Sequence, residues 1–200
     1  MRARLTSFII AGFLIGALAG ATVLLVTTPP GERPLQSSGT ALIGGPFSLV
    51  GTDGKTVTDA NFRGRYMLVF FGFTHCPDIC PAELQVIAQA LDKLGDKAKN
   101  VVPVFVTLDP ERDTPQVMAE YVKSFGPNFV GLTGSPEAIA AAAKAYRVVY
   151  AKVENKESAG DYSVDHSALA YLMDPEGRYV AHFSYGTSAE EIAEKLGRLL

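Results

Sequence analysis

Tyr66-Met67-Leu68-Val69-Phe70-Phe71-Gly72-Phe73 runs directly into Thr74-His75-Cys76-Pro77-Asp78-Ile79-Cys80-Pro81, and the reading of that junction decides the fold. The first eight residues are almost wholly apolar, as expected of a central strand buried on both faces. From Pro81 to Leu94, apolar residues recur at Leu84, Ile87, Ala88, Leu91 and Leu94. That is a helical period, and proline suits a first helical turn. Strand therefore gives way to helix across the only two cysteines of the chain.

Further strands and helices are predicted on either side. Short strands over Pro46 to Val50 and Thr56 to Thr58 flank the turn Thr52-Asp53-Gly54-Lys55. Val101 to Leu108 reads as a second buried strand. Thr114-Pro115 and Ser135-Pro136 each place a capping hydroxyl before a proline at the first helical position. They predict helices ending at Gly126 and near Tyr146. Strands are expected over Phe129 to Leu132 and Val148 to Val153, and an exposed polar loop over Glu154 to Tyr162. Leu169 to Met173 and Tyr179 to Phe183 form a hairpin through Asp174-Pro175-Glu176-Gly177, and Ser188 caps a last helix. Strands alternating with helices, then a hairpin and a helix, imply an α/β fold with a mixed sheet.

The N-terminus has a different character. Phe8 to Val26, FIIAGFLIGALAGATVLLV, carries no charge. A bilayer takes about 20 apolar residues to cross, so the run is long enough to span one. Arg2 and Arg4 precede it and would stay in the cytoplasm, which places Thr27 onward outside. A cleaved signal peptide is the rival reading, because Ala17-Leu18-Ala19 and Ala19-Gly20-Ala21 resemble cleavage sites. The expected organisation is a cytoplasmic end over 1–7, an anchor over 8–26, a Pro/Gly/Ser-rich linker over 27–44 and a domain over 45–200. The formal net charge of −3 and the absence of a basic patch argue against nucleic acid as a partner.

Cys76 and Cys80 can bind a soft metal, exchange disulfides or staple a loop. Outside the cytoplasm the last is the ordinary outcome. A helix N-terminus favours thiolate over thiol, and thiolate is both nucleophile and metal ligand, so a lowered thiol pKa would serve either use. Redox dithiols of the thioredoxin type have two intervening residues, whereas three stand here. A disulfide remains open, since helical neighbours one turn apart lie within the Cα range of about 4.4–6.8 Å. The chain has three histidines. His75 adjoins Cys76, so its side chain is expected to diverge from the sulfurs. His182 fits a strand position. His166, in Ser163-Val164-Asp165-His166-Ser167, is expected outside regular structure just before a core strand, from where it can reach a neighbouring loop. Two thiolates and one imidazole suit copper, Cu(I) above all, and leave zinc one ligand short. The charged run Asp109 to Thr114 reads as a turn into a capped helix, with Arg112 paired to Asp109 or Glu111.

Three stretches carry a resemblance. Phe70-Phe71-Gly72-Phe73-Thr74-His75-Cys76-Pro77-Asp78-Ile79-Cys80-Pro81, Leu108-Asp109-Pro110-Glu111-Arg112-Asp113-Thr114-Pro115 and Val164-Asp165-His166-Ser167 resemble, in order, the signature of the SCO/SenC family. The resemblance implies a thioredoxin-like α/β fold, with a mixed central sheet flanked by helices and an N-terminal transmembrane helix in the inner membrane. It implies copper, as Cu(I) or Cu(II), held by Cys76, Cys80 and His166. It further implies a metallochaperone that helps to assemble the binuclear copper site of cytochrome c oxidase subunit II. The alternative is a thiol–disulfide oxidoreductase, with Cys76 and Cys80 as redox pair, that keeps the cysteines of that site reduced. Subunit II is then the partner, with an upstream copper donor and a thiol reductant beside it. Ordinary thioredoxins place a cis-proline before the strand facing the active site, but no proline occurs from Glu154 to Met173. A peroxiredoxin would need threonine at the position of Phe73.

Overall fold

β3 (Tyr66–Gly72) lies between a parallel neighbour, β4 (Val101–Thr107), and an antiparallel one, β8 (Leu169–Met173). Both faces of β3 and β4 are covered, which is why each reads as an unbroken apolar run. The computed structural model describes residues 42–154 and 162–200. The expected cytoplasmic end, the anchor over 8–26 and most of the linker lie outside the described residues. Among the described residues no helix is long and apolar enough to cross a membrane.

Among the described residues the main sheet has seven strands in the order β2-β1-β5-β4-β3-β8-β9, with β1 at Ser48–Gly51, β2 at Thr56–Thr58, β5 at Val130–Thr133 and β9 at Tyr179–Ser184. Its mixed character matches the expectation. The helices are α1 (Ile79–Leu94), α2 (Pro115–Lys123), α3 (Pro136–Ala145) and α4 (Ala189–Leu199). α1 packs against α4, α2 against β5 and α3 against β1. The predicted caps are present: Thr114 accepts from the amide of Val117, Ser135 from that of Ala138 and Ser188 from that of Glu191. Each cap is worth about 1 kcal/mol to its helix.

Two expectations are corrected. α1 begins at Ile79 rather than Pro81, so Cys80 is inside the helix. Pro81 is tolerated as the third helical residue because first-turn amides have no intrahelical acceptor. The second correction concerns the histidine expected outside regular structure; residues 155–161 of the expected polar loop lie outside the described residues. Tyr162–His166 is strand β7, paired antiparallel with β6 (Tyr150–Glu154), and Tyr150 faces His166 across the pair. This pair forms its own two-stranded sheet, apart from the main one. Only Val164 of β7 is buried, and the polar alternation at Ser163 and Asp165 conceals a strand so short.

Candidate metal centre

The end of β3 and the segment after it are held from one side by a buried carboxylate. Asp113 is fully buried. Its Oδ2 accepts from the Thr74 amide at 3.0 Å and from the Thr107 hydroxyl at 2.5 Å, and its Oδ1 accepts from the Thr74 hydroxyl at 2.5 Å. Three donors answer the desolvation of the charge. The amide of Cys76 donates to the carbonyl of Phe73 at 3.3 Å, which closes the turn before α1. His75 turns away from the sulfurs, as its adjacency to Cys76 led one to expect. Its Nδ1 lies 3.2 Å from the Thr74 hydroxyl, and it lines a separate depression with Val117, Glu120 and Tyr121.

Both cysteines are free thiols, Cys76 half-buried and Cys80 with 0% exposure. The Cys80 amide donates to Cys76 Sγ at 3.4 Å. Pro81 offers no N–H, and the Ala82 amide already donates to the carbonyl of Asp78 at 3.2 Å. The Cys80 amide is thus the first-turn donor that meets the sulfur. Burial pushes the Cys80 thiol well up, opposed by a backbone hydrogen bond from Phe73. For this cysteine, burial overrides the helix N-terminus that the sequence led one to weigh first.

Gly72 has a part that sequence reasoning missed. A Cβ there would stand 2.6 Å from Cys80 Sγ and 3.0 Å from Phe105 Cε2. The absence of a side chain makes room for the sulfur. The signal was present: a lone glycine in a bulky strand marks close approach.

His166 ends β7 with Nε2 at 3.5 Å from Cys80 Sγ, across 86 residues of sequence. Its Nδ1 lies 3.2 Å from the carbonyl oxygen of Ser167. A carbonyl can only accept, so Nδ1 carries the proton and the Nε2 lone pair faces the sulfur. The rings of Phe70 and Phe73 meet the imidazole edge-on, with centroids 6.1 and 6.2 Å away. Burial holds the His166 pKa below the usual histidine value. A neutral imidazole and a neutral thiol therefore meet as an S–H···N pair. Cys76 and His166 line one groove of about 290 Å³, with Phe73, Ile79, Val164 and Asp165.

Among the described residues, no group of three or more His, Cys, Asp or Glu side chains closes tightly enough to enclose an ion. The three candidate ligands instead form a chain of contacts, from His166 to the Cys80 sulfur and from the Cys80 amide to Cys76. The 3.5 Å separation of Cys80 Sγ and His166 Nε2 fits a shared ion. A soft ion shared between them would be held by the Cys80 sulfur and the His166 nitrogen. The donor set is soft, and the imidazole tautomer presents the correct atom.

Residues 35–200 match the SCO1/SenC family. The mitochondrial SCO1 homolog 1 of Arabidopsis thaliana is 50% identical over 159 residues, covering 79% of this chain and 47% of that protein. The chain thus spans about half the length of the plant relative. A SCO2-like protein of Rickettsia prowazekii is 39% identical over 200 residues, covering 97% of each chain. Among solved structures, that of Arabidopsis thaliana ScoI with copper bound aligns with a TM-score of 0.74 at 48% identity, covering 79% of this chain and 99% of that one.

Proposed function

This chain belongs to the SCO1/SenC family, and from that premise we propose that it is a copper metallochaperone of cytochrome c oxidase assembly. Copper is its cargo, held by Cys76, Cys80 and His166 and passed to the binuclear copper site of subunit II. The observation that carries this reading is the contact of 3.5 Å between Cys80 Sγ and His166 Nε2, with the imidazole proton committed to the Ser167 carbonyl on the far side of the ring. The copper-bound Arabidopsis structure supports the choice of metal. Thiolate and imidazole donors suit Cu(I), and a low-coordinate ion leaves space for an incoming thiolate. An acceptor entering along the groove meets Cys76 and His166 first, because Cys80 is buried beneath them. Transfer then proceeds by exchange of one sulfur donor for another, with no change in oxidation state.

The same proposal places residues 8–26 as an anchor in the inner membrane, 27–44 as a linker and the copper-binding domain over 45–200 on the periplasmic or equivalent side. An upstream copper donor and a thiol reductant complete the partners, since an oxidised Cys76–Cys80 pair could not take up copper. The second reading, a thiol–disulfide oxidoreductase acting on the cysteines of subunit II, is favoured by the two free thiols joined through the Cys80 amide.

Titration of the reduced full chain with Cu(I) and Cu(II), read by metal analysis and absorption, tests both. One copper per chain is expected. Cys76→Ser, Cys80→Ser and His166→Ala each lose stable copper. Near-normal stoichiometry in His166→Ala would remove that residue from the site. Disulfide reductase activity that survives His166→Ala would favour the second reading.

A further inference from the structure

The turn between β4 and α2 carries two fully buried aspartates, Asp109 and Asp113. They are joined to each other, since the Asp113 amide donates to the Asp109 carbonyl at 2.9 Å. They also share Thr107, whose hydroxyl donates to Asp113 Oδ2 and accepts from the Asp109 amide at 2.9 Å. Asp113 faces the cysteine side of the site through Thr74. Asp109 faces the other way. Its Oδ1 accepts from the Tyr162 hydroxyl at 2.7 Å, 53 residues away in sequence. Its Oδ2 accepts from Arg112 Nε, and Arg112 in turn donates through Nη1 to the Tyr162 carbonyl at 3.1 Å. The guanidinium also stacks over the Tyr162 ring, 3.8 Å from the centroid. Tyr162 is thus gripped at its hydroxyl, its ring and its carbonyl, and it is the first residue of the strand that ends in His166.

That grip matters because of what β7 lacks. Among the described residues it pairs only with β6, and the two form a sheet separate from the seven-stranded one. An isolated two-stranded hairpin is at best marginally stable in water. β6 is exposed from Ala151 to Glu154. The outer tie from Lys152 to Glu111 is exposed as well, and such pairs contribute little. Burying Asp109 is costly, and a turn that merely led into α2 would not need to satisfy that carboxylate with a tyrosine from another strand. We propose that Asp109, Arg112 and Tyr162 form a positioning clamp for His166, which fixes the reach of β7 so that Nε2 meets Cys80 Sγ. One rigid turn then sets the spacing between the two halves of the copper site. The inference rests on the reading of His166 as a copper ligand.

The test compares the full chain with Tyr162→Phe, which keeps the ring over Arg112 and removes only the hydroxyl bond to Asp109. In the copper-free protein, hydrogen exchange at residues 163–166 is expected to accelerate several-fold while β3 and β4 exchange as before. Loaded with Cu(II), the variant binds about tenfold more weakly, near the low end for outer partners of metal ligands. Its electron paramagnetic resonance spectrum loses resolved nitrogen coupling. Asp109→Asn gives the same changes, and the double variant goes no further. Unchanged exchange in β7, or equal acceleration in β3, β4 and β7, overturns the clamp. Loosened β7 with unaltered affinity and nitrogen coupling overturns its positioning role. Absence of nitrogen coupling in the unmodified chain is a different result: the ligand assignment of His166 then fails, and the inference falls with it.

Discussion

Cys80 sits in the first turn of α1 against β3, in the packing of the seven-stranded sheet, with 0% exposure. His166 ends a strand whose one partner among the described residues, β6, is open to solvent along most of its length. The two side chains meet at 3.5 Å, yet the first is held within a core and the second by a few polar contacts, Val164 and the ring edges of Phe70 and Phe73. Affinity for a metal asks for ligands already in place, whereas release asks that one of them can leave. Dividing the proposed ligands between a rigid layer and a peripheral hairpin would meet both demands. Local stability varies across a fold in this way, and moving elements come from its less stable end.

The largest expected effect probes the rigid side. Gly72→Ala drives a methyl group to 2.6 Å from Cys80 Sγ and 3.0 Å from Phe105. Overpacking of this kind costs about 1–3 kcal/mol, measured as a shift in the urea midpoint, and copper affinity should fall with it. Unchanged stability and affinity would mean that the cysteine side yields as readily as the hairpin, and the contrast would collapse.

A smaller effect separates the halves by pH. Burial lowers the His166 pKa, so the neutral ring belongs to the folded state. Its contribution is present above the ordinary value of about 6.5 and is lost as pH falls from there through the lowered one. Burial raises the Cys80 pKa, so the stability tied to its thiol is present below about 8.5 and is lost as pH rises beyond it. In copper-free protein, His166→Gln should flatten the acid limb of a stability profile and Cys80→Ser the alkaline limb. Neither slope should exceed about 1.4 kcal/mol per pH unit, the value for one proton. A shared effect of both variants on one limb would dissolve the distinction. The smallest effect is expected where neither half is touched. His75→Gln and His182→Gln alter exposed rings, and copper stoichiometry by metal analysis should stay at one. Loss of copper in either variant would add a ligand that the geometry does not include.

The rigid half was the more legible in sequence, for a physical reason. Its signals are local: the apolar run of β3, the helical period of α1 and the hydroxyl–proline pairs at Thr114 and Ser135. The hairpin half carries weak local signals, because Ser163 and Asp165 face outward and Val164 alone is buried, so in sequence β7 reads as loop. The family resemblance named His166 where periodicity could not. The pairing of Arg112 with Asp109 was among the expectations and is present. Its extension to Tyr162 was not foreseen, since nothing in a linear chain announces a contact 53 residues away. The sulfur space at Gly72 was likewise visible only as a glycine whose reason lay on another element.

The difference in exposure between the two thiols sets an order of events for any sulfur chemistry of this chain. A disulfide approaching from solvent can reach Cys76, which lines the groove, but not Cys80, which is sealed beneath it. In a thiol–disulfide exchange of the kind given as the second reading, the Cys76 thiolate would be the one to attack, forming a bond to one partner sulfur and expelling the other as thiolate. Cys80, giving up its proton, would then attack the Cys76 sulfur, forming a Cys76–Cys80 disulfide and releasing the partner with both of its sulfurs reduced.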